Sequence, residues 1–179
     1  MTTPAQQASA ALKEGSLAGS WTLDPARSTA TLRSKSMWGL APVKGVFRDL
    51  EGSGTVSAAG EVTGSIALAT ASLDTKNKKR DTHLRSADFF LTEKYPAITF
   101  SVGTLVPASE GVTISGTLTV RDRSRPISFP ATVAQVGDSE VALDATAQVD
   151  RSEFELTWNR MGMTSMNNTI TIHAVFTKS

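Results

Sequence analysis

The sequence predicts an all-β, antiparallel fold, and two observations carry that prediction. The first is strict alternation of apolar and polar residues, clearest in Val112–Val120, where four apolar residues would share one face. This period of two is typical of a strand with one buried face. The second is the short polar stretches between such segments, for example Ala59-Gly60, which favour hairpins. We expect about eight strands of this kind.

The alternating segments extend over most of the chain after residue 20. They are Ala30–Arg33, Val62–Leu73, Ile98–Val102, Val112–Val120, Ile127–Val133, Val141–Val149 and Thr169–Ala174. A polar stretch at Arg121–Pro126 predicts the turn between two of them. Antiparallel strands with one apolar face form either a sandwich or a closed barrel, and alternation alone does not distinguish the two.

One segment, Asp74–Pro96, shows no alternation. Its middle, Thr82–Phe90, has the spacing of a short amphipathic helix, whose first turn Asp81 or Thr82 could cap through a side-chain oxygen. Pro96 ends whatever precedes it, because a proline keeps the residue before it out of helical backbone. We therefore predict one short helical insertion between strands.

Composition excludes several kinds of site. The chain has no cysteine, which removes disulfides, thiolate zinc sites and a cysteine nucleophile. A net charge of +1 does not favour a nucleic-acid partner. The only histidines, His83 and His173, are far apart, whereas a metal site needs three or four ligands. We predict no metal site, no catalytic residue and no nucleic-acid partner.

The chain is predicted to form one domain over residues 20–179, preceded by a flexible or weakly helical arm at residues 1–19. Gln6, Ser9 and Lys13 interrupt the apolar run that a secretory signal requires. No stretch approaches the ~18 apolar residues of a membrane-spanning helix. These features predict a cytoplasmic protein without an integral membrane segment.

Several short motifs occur in an order that identifies a family. They are Trp21–Pro25 followed by Ser28, Lys44–Gly52, Ser72–Thr75, Arg80–Phe90, Tyr95–Phe100, Gly116–Arg121, Pro126-Ile127 and Asp150–Phe154. Together they resemble the YceI family over about residues 20–178. Three departures concern the ligand rather than the fold. Arg27 replaces a common histidine, Lys35–Trp38 lacks another, and Trp158–Met163 differs from the common form.

The resemblance implies an extended, lipocalin-like antiparallel barrel of about eight strands with a helical insertion near residues 76–90. It also implies that the barrel binds a long isoprenoid or fatty amphiphile, such as a quinone tail or a prenyl phosphate, without chemistry. Since each buried CH₂ contributes about 0.8 kcal/mol, a long chain could bind tightly through few polar contacts. No cofactor other than a bound lipid is expected, and the family resemblance adds a homodimer as an expectation.

The candidate site is the inward apolar face, which would equally serve an ordinary packed core. The residues predicted to line a cavity are Leu32, Phe47, Ile66, Leu68, Phe89, Ile98, Phe100, Val102, Ile114, Leu118, Phe129, Val133, Leu143, Phe154, Trp158, Ile170 and Ile172. Small inward residues, such as Ala145, Ala147 and Ala174, would leave volume for a ligand. Lys78, Lys79, Arg80 and Arg123 are candidates for contact with a ligand headgroup.

Two other functions remain open at this stage. One is a stress-related interaction module with a closed core and no ligand. The other is an enzyme that acts on a lipid-like substrate, which would need ionisable residues facing the cavity. The predicted lining contains none, which argues against an enzyme.

Overall fold

Across residues 2–179, the computed structural model of the chain contains eleven β-strands and two α-helices. The strands are β1 (Gly19–Leu23), β2 (Thr29–Ser36), β3 (Ala41–Phe47), β4 (Leu50–Val56), β5 (Val62–Ala69), β6 (Leu73–Asp74), β7 (Ala97–Pro107), β8 (Val112–Val120), β9 (Arg123–Val136), β10 (Glu140–Asp150) and β11 (Asn167–Lys178). The helices are α1 (Pro4–Glu14) and α2 (Lys78–Leu84).

Eight of the strands close into an antiparallel barrel. The order around the ring is β1-β4-β5-β7-β8-β9-β10-β11, and β11 pairs back onto β1. This closure confirms the predicted barrel of about eight strands and decides between barrel and sandwich. Within the ring every strand has a neighbour on both sides, and the alternating side chains therefore have an inside and an outside.

Strand β11 is long enough to pair with two strands, β2 and β1, along the same edge. Its first half pairs with β2 from Thr169 to His173, and its end pairs with β1 from Phe176 to Lys178. Strands β2, β3 and β6 therefore extend the wall beyond the point where β1 stops. The interior is longer than a ring of short strands would make it.

The alternation holds along β8, where all four predicted inward residues are buried. The alternation fails at β-bulges. One extra residue there moves every later side chain of the strand to the opposite face of the sheet. The bulge between Val102 and Thr104 in β7 is one case. As a result both Val102 and Leu105 line the interior, and simple alternation missed Leu105.

Two local predictions were wrong. The turn expected at Arg121–Pro126 covers only Arg121 and Asp122, because β9 begins at Arg123 and pairs with Val120. Arg121 adopts a left-handed φ of 58°, which allows this tight connection.

The cap of the helical insertion also differs. Helix α2 begins earlier than expected and is capped by Asn77, whose Oδ1 accepts from the Arg80 N–H at 3.0 Å. Asp81, one of the predicted caps, is instead buried and accepts bonds from the Thr75 N–H at 3.0 Å and the Thr75 hydroxyl at 2.5 Å. Asp81 thus holds α2 against Thr75, the residue that follows β6, and so its carboxylate does not cap the helix.

Helix α1 forms inside the segment that we expected to be a flexible or weakly helical arm. Thr3 and Gln6 form a reciprocal capping box, in which the Gln6 N–H donates to Thr3 Oγ1 at 3.2 Å and the Thr3 N–H donates to Gln6 Oε1 at 2.9 Å. Gly15 ends the helix with a left-handed φ of 75°. No helix among the described residues is long and apolar enough to cross a membrane.

Ala8 docks α1 onto the barrel. Its side chain is buried and packs in a cluster with Val112, Ile114, Ala131 and Val133. Because an alanine contributes little area, this contact depends on close approach of the helix backbone, and the larger Leu12 of the same helix faces the cavity beside it.

We expect Ala8→Glu to release α1 from the barrel, since a carboxylate in this apolar contact costs several kcal/mol. Cleavage by trypsin at the exposed Lys13 should then accelerate about tenfold or more. Ala10→Glu makes the same change on the exposed face of α1 and should leave the rate near that of the wild type. Equal rates in the two variants would show that α1 does not dock in solution.

Candidate functional site

Two cavities lie inside the barrel that the described residues form. The first chamber has a volume of about 230 Å³ and is lined by α1 and by side chains of the strands that form the closed ring. Its lining is almost entirely aliphatic and aromatic, and Leu12, Leu105, Val112, Phe129 and Leu143 are typical members. Ala145, Ala147 and Ala174 also line it, so small inward residues do leave volume there.

The second chamber has a volume of about 220 Å³ and lies at the end of the barrel that β2, β3 and α2 extend. Its walls include Leu32, Phe47, Phe90 and Leu156, together with ionisable residues, which the lining of the first chamber lacks. It is therefore amphipathic, with an apolar floor and a polar mouth.

Four side chains separate the two chambers. Ile98, Leu118, Val149 and Ile170 line both cavities, one each from β7, β8, β10 and β11. We call these four residues the waist. An eleven-residue strand such as β10, tilted as barrel strands are, spans on the order of 25–30 Å along the axis. A chain that occupied both chambers would have to pass the waist.

Every residue predicted to line a cavity lies on a chamber wall. The first chamber contains Ile66, Leu68, Phe100, Val102, Ile114, Phe129, Val133, Leu143 and Ile172. The second contains Leu32, Phe47, Phe89, Phe154 and Trp158. The waist contains Ile98, Leu118 and Ile170. Contact of these residues with a ligand stays a prediction.

Sequence reasoning missed other wall residues for different reasons. Alternation along β10 could have added Val149 to the predicted lining. Ala8, Leu12 and Leu17 were missed because the segment that contains α1 carried no strand pattern. Leu105 was hidden by the bulge in β7.

The four predicted headgroup residues do not come together. Arg80 lines the second chamber, and its guanidinium donates from Nε to Thr75 Oγ1 at 2.8 Å and from Nη2 to the Thr75 carbonyl at 2.9 Å. Lys78 and Lys79 are exposed on α2 outside the chamber lining. Arg123 donates to Glu155 at 2.8 Å and also lies outside it.

Asp74, which precedes Thr75, stabilises the same corner of the barrel. Its carboxylate accepts from the Lys76 N–H at 2.9 Å and from the Arg48 guanidinium at 2.8 Å. These bonds, the backbone one foremost, lower the pKa of Asp74 to about 2. The carboxylate is therefore charged at neutral pH and holds the link between β3 and β4 against β6.

Ionisable side chains do reach the second chamber, which differs from the sequence expectation. They are Arg80, His83 and Arg151. His83 pairs through Nε2 with Asp88 Oδ2 at 2.8 Å, and its ring stands edge-on to Trp158 and Phe89, with centroids 4.3 Å and 5.2 Å away. The nearby Ser86 hydroxyl donates to the His83 backbone carbonyl and not to the ring, so these residues do not form a nucleophile–base pair.

Arg151 organises the mouth of the second chamber. Its guanidinium donates to the carbonyls of Leu156 and Trp158 at 2.7 Å each and to those of Ser165 and Thr164 at 3.0 Å and 3.4 Å. Only 7% of the residue is exposed, and this burial lowers the pKa of Arg151 below its usual value. One buried cation thus holds the segment between β10 and β11 in place.

Ser34 contributes the other notable polar atom. Its Oγ is buried and has no hydrogen-bond partner among the described residues, although Ser34 lines the second chamber. Residues 2–179 contain no group of three or more histidines and carboxylates that could hold a metal ion. The polar groups that line the second chamber are hydroxyls, the carboxamide of Asn168, the imidazole of His83 and two guanidinium groups.

The fold has close relatives among solved structures. BcnA of Burkholderia cenocepacia superposes with a TM-score of 0.77 at 24% identity, covering 86% of this chain and 98% of that one. A polyisoprenoid binding domain from Saccharophagus degradans, implicated in plant cell wall breakdown, has a TM-score of 0.71 at 16% identity, covering 89% and 98%. The YceI protein of Campylobacter jejuni has a TM-score of 0.62 at 27% identity, covering 74% and 84%.

Sequence comparison identifies the family. Protein YceI of Escherichia coli strain UMN026 is 36% identical over 98 residues, which is 52% of this chain and 50% of that protein. The chain thus spans about half the length of the Escherichia and Shigella relatives that it matches. The family model of the YceI-like domain matches residues 21–177, nearly the whole barrel. The chain belongs to the YceI-like domain family.

Proposed function

We propose that this protein binds a long apolar amphiphile, of polyisoprenoid type, inside the barrel and carries or sequesters it without chemical change. The observation that carries the proposal is the pair of chambers of about 230 and 220 Å³ on either side of the waist. The similar domain from Saccharophagus degradans, which is a polyisoprenoid binding domain, supports the same ligand class.

The chemistry of the two chambers orients the ligand. The first chamber offers a chain almost no polar partner, whereas the second presents Ser34 Oγ, His83 and Arg80. An amphiphile would therefore place its tail in the first chamber and its headgroup at the mouth of the second. A headgroup oxygen near Ser34 would satisfy a hydroxyl that is otherwise unpaired.

The alternatives have less support. A module with a closed core would not contain two cavities of this size. An enzyme that uses His83 as a base would need a nucleophile bonded to the ring, and the Ser86 hydroxyl donates to the His83 backbone carbonyl instead. The domain limits of residues 20–179, a cytoplasmic location, a homodimer and a stress-related role stay predictions.

The proposal is tested by native mass spectrometry of the purified protein, followed by a binding panel of prenyl quinones, prenyl phosphates and fatty acids. We expect a bound mass with one of these classes. Ala145→Trp would fill the first chamber and weaken binding of the long-chain ligand about 100-fold or more. Ala134→Trp makes the same change on the exposed face of β9 and should leave affinity unchanged.

Two results would contradict the proposal. One is the absence of a bound mass across the whole panel for the wild-type protein. The other is equal affinity of the Ala145→Trp variant and the wild type, with a thermal melt showing that the variant is folded.

A further inference from the structure

We propose that the mouth of the second chamber docks onto the surface of an anionic lipid bilayer. The docking surface, here called the rim, consists of Met37, Trp38 and Leu40 between β2 and β3, and Trp158 and Met161 between β10 and β11. The docking goes beyond the proposed function, which it would serve by bringing the barrel to a membrane that holds its ligand.

The rim concentrates apolar surface that the rest of the barrel buries. Leu40 is 82% exposed, Met161 75%, Trp38 65%, Met37 52% and Trp158 36%. Among residues 2–179 the one other large apolar side chain of this kind is Val106, which precedes the β7–β8 turn beside the first chamber. Such clustering on one surface indicates an interaction site.

Backbone geometry holds the rim in place. The Trp38 N–H donates to the Met163 carbonyl at 3.1 Å, and the Ser165 N–H donates to the Lys35 carbonyl at 2.9 Å, so hydrogen bonds join the two segments that form the rim. Met37, Trp38 and Met161 adopt left-handed φ values of 51°, 56° and 55°, which non-glycine residues seldom do. Strained backbone that presents apolar side chains to solvent is characteristic of functional sites.

The rim is continuous with the cavity. Ser36, the last residue of β2 before the rim, lines the second chamber, as do Trp158 and Thr164 in the segment between β10 and β11. A lipid that left a bilayer at the rim would pass directly from one apolar environment to the other. The rim therefore lies where a carrier would exchange its ligand.

Charge favours a lipid surface over a protein partner. Residues 29–47, which form β2, β3 and their connection, carry Arg33, Lys35 and Lys44 and no acidic residue. All three are exposed, as are Lys78 and Lys79 on α2 at the same end. Tryptophan beside lysine is typical of membrane interfaces, whereas protein interfaces are depleted in lysine. The basic side chains complement anionic headgroups.

The test is flotation of the protein with vesicles that contain no isoprenoid, made either of phosphatidylcholine alone or of phosphatidylcholine mixed with phosphatidylglycerol. We expect binding to the mixed vesicles. The double change Trp38→Ser and Leu40→Ser should weaken it about tenfold or more, and Lys35→Glu with Lys44→Glu should remove the preference for the anionic vesicles. Val106→Ser removes an exposed apolar side chain elsewhere and should bind as the wild type does.

Three outcomes would overturn the proposal. They are no binding of the wild type to either vesicle, equal losses in Val106→Ser and the rim variant, and a wild-type dimer that the rim variant abolishes without any vesicle binding. The Ala145→Trp variant separates this proposal from the proposed function. If it still floats with vesicles but binds no isoprenoid, both stand. If the wild type binds isoprenoid in detergent but never floats, only the docking fails.

Discussion

Arg151→Met is expected to lower the free energy of unfolding by about 3 kcal/mol or more, the largest stability effect that we predict. The change leaves four carbonyls, those of Leu156, Trp158, Thr164 and Ser165, without their shared donor. It removes a cation that also lies over the Phe89 ring at 5.6 Å. Since small domains are stable by only about 5–15 kcal/mol, urea denaturation will resolve this loss readily.

Two further variants serve as controls for Arg151→Met. Arg151→Lys keeps a charge but not the planar fork, so it should lose about half as much stability. Arg125→Met removes an exposed arginine and should change stability by less than about 0.5 kcal/mol. Equal losses for Arg151→Met and Arg125→Met would refute the role of Arg151 as the clamp of the chamber mouth. Hydrogen exchange should also rise first in the segment between β10 and β11.

Val149→Trp is expected to lower the affinity for long-chain ligands and to leave the affinity for short-chain ligands unchanged. A tryptophan at the waist would close the passage between the chambers, so a chain long enough to occupy both would lose its contacts in the first chamber. Losing even four buried CH₂ groups corresponds to about 3 kcal/mol, or roughly a 100-fold weaker Kd. A chain short enough for the second chamber alone should keep its affinity. Titration of a prenyl alcohol series measures both.

The control for added bulk is Val141→Trp. Val141 lines the first chamber but not the waist. The same substitution there should weaken the binding of the longest chains and leave the affinity for chains of intermediate length unchanged. A variant at the waist that lowers affinity uniformly across the series would contradict a passage between chambers. Thermal melts of both variants guard against overpacking, which destabilises well-packed cores.

Much of the wall could be predicted from sequence because alternation is a local signal. Every second residue of β8 points inward, so its inward residues can be predicted without knowing which strands pair with β8. The signal fails at Leu105, where a bulge exchanges the faces, and at Ala8, which reaches the cavity from a helix. The prediction of the α2 cap fails for a related reason, since the Asp81 carboxylate accepts a hydrogen bond from Thr75, the residue that follows β6.

Which of the predicted headgroup residues face the chamber could not be predicted from the local sequence. Lys78, Lys79 and Arg80 are consecutive, yet only Arg80 lines the chamber, because successive residues of a helix point in different directions. Arg123 is far from them in sequence and pairs with Glu155 instead. Charge in a sequence indicates that a cluster exists, and only the fold determines which member faces a ligand.

By itself the sequence determined the all-β class, the motifs of the family and the apolar residues that lie inside, since these depend on period and local order. The tertiary structure alone decided that the sheet closes, that four residues pinch the interior into two chambers, and that the apolar loops meet at one mouth. Those features depend on pairings between residues far apart in the chain. Strand pairing joins β11 to β1 and β2, and no local pattern encodes that closure.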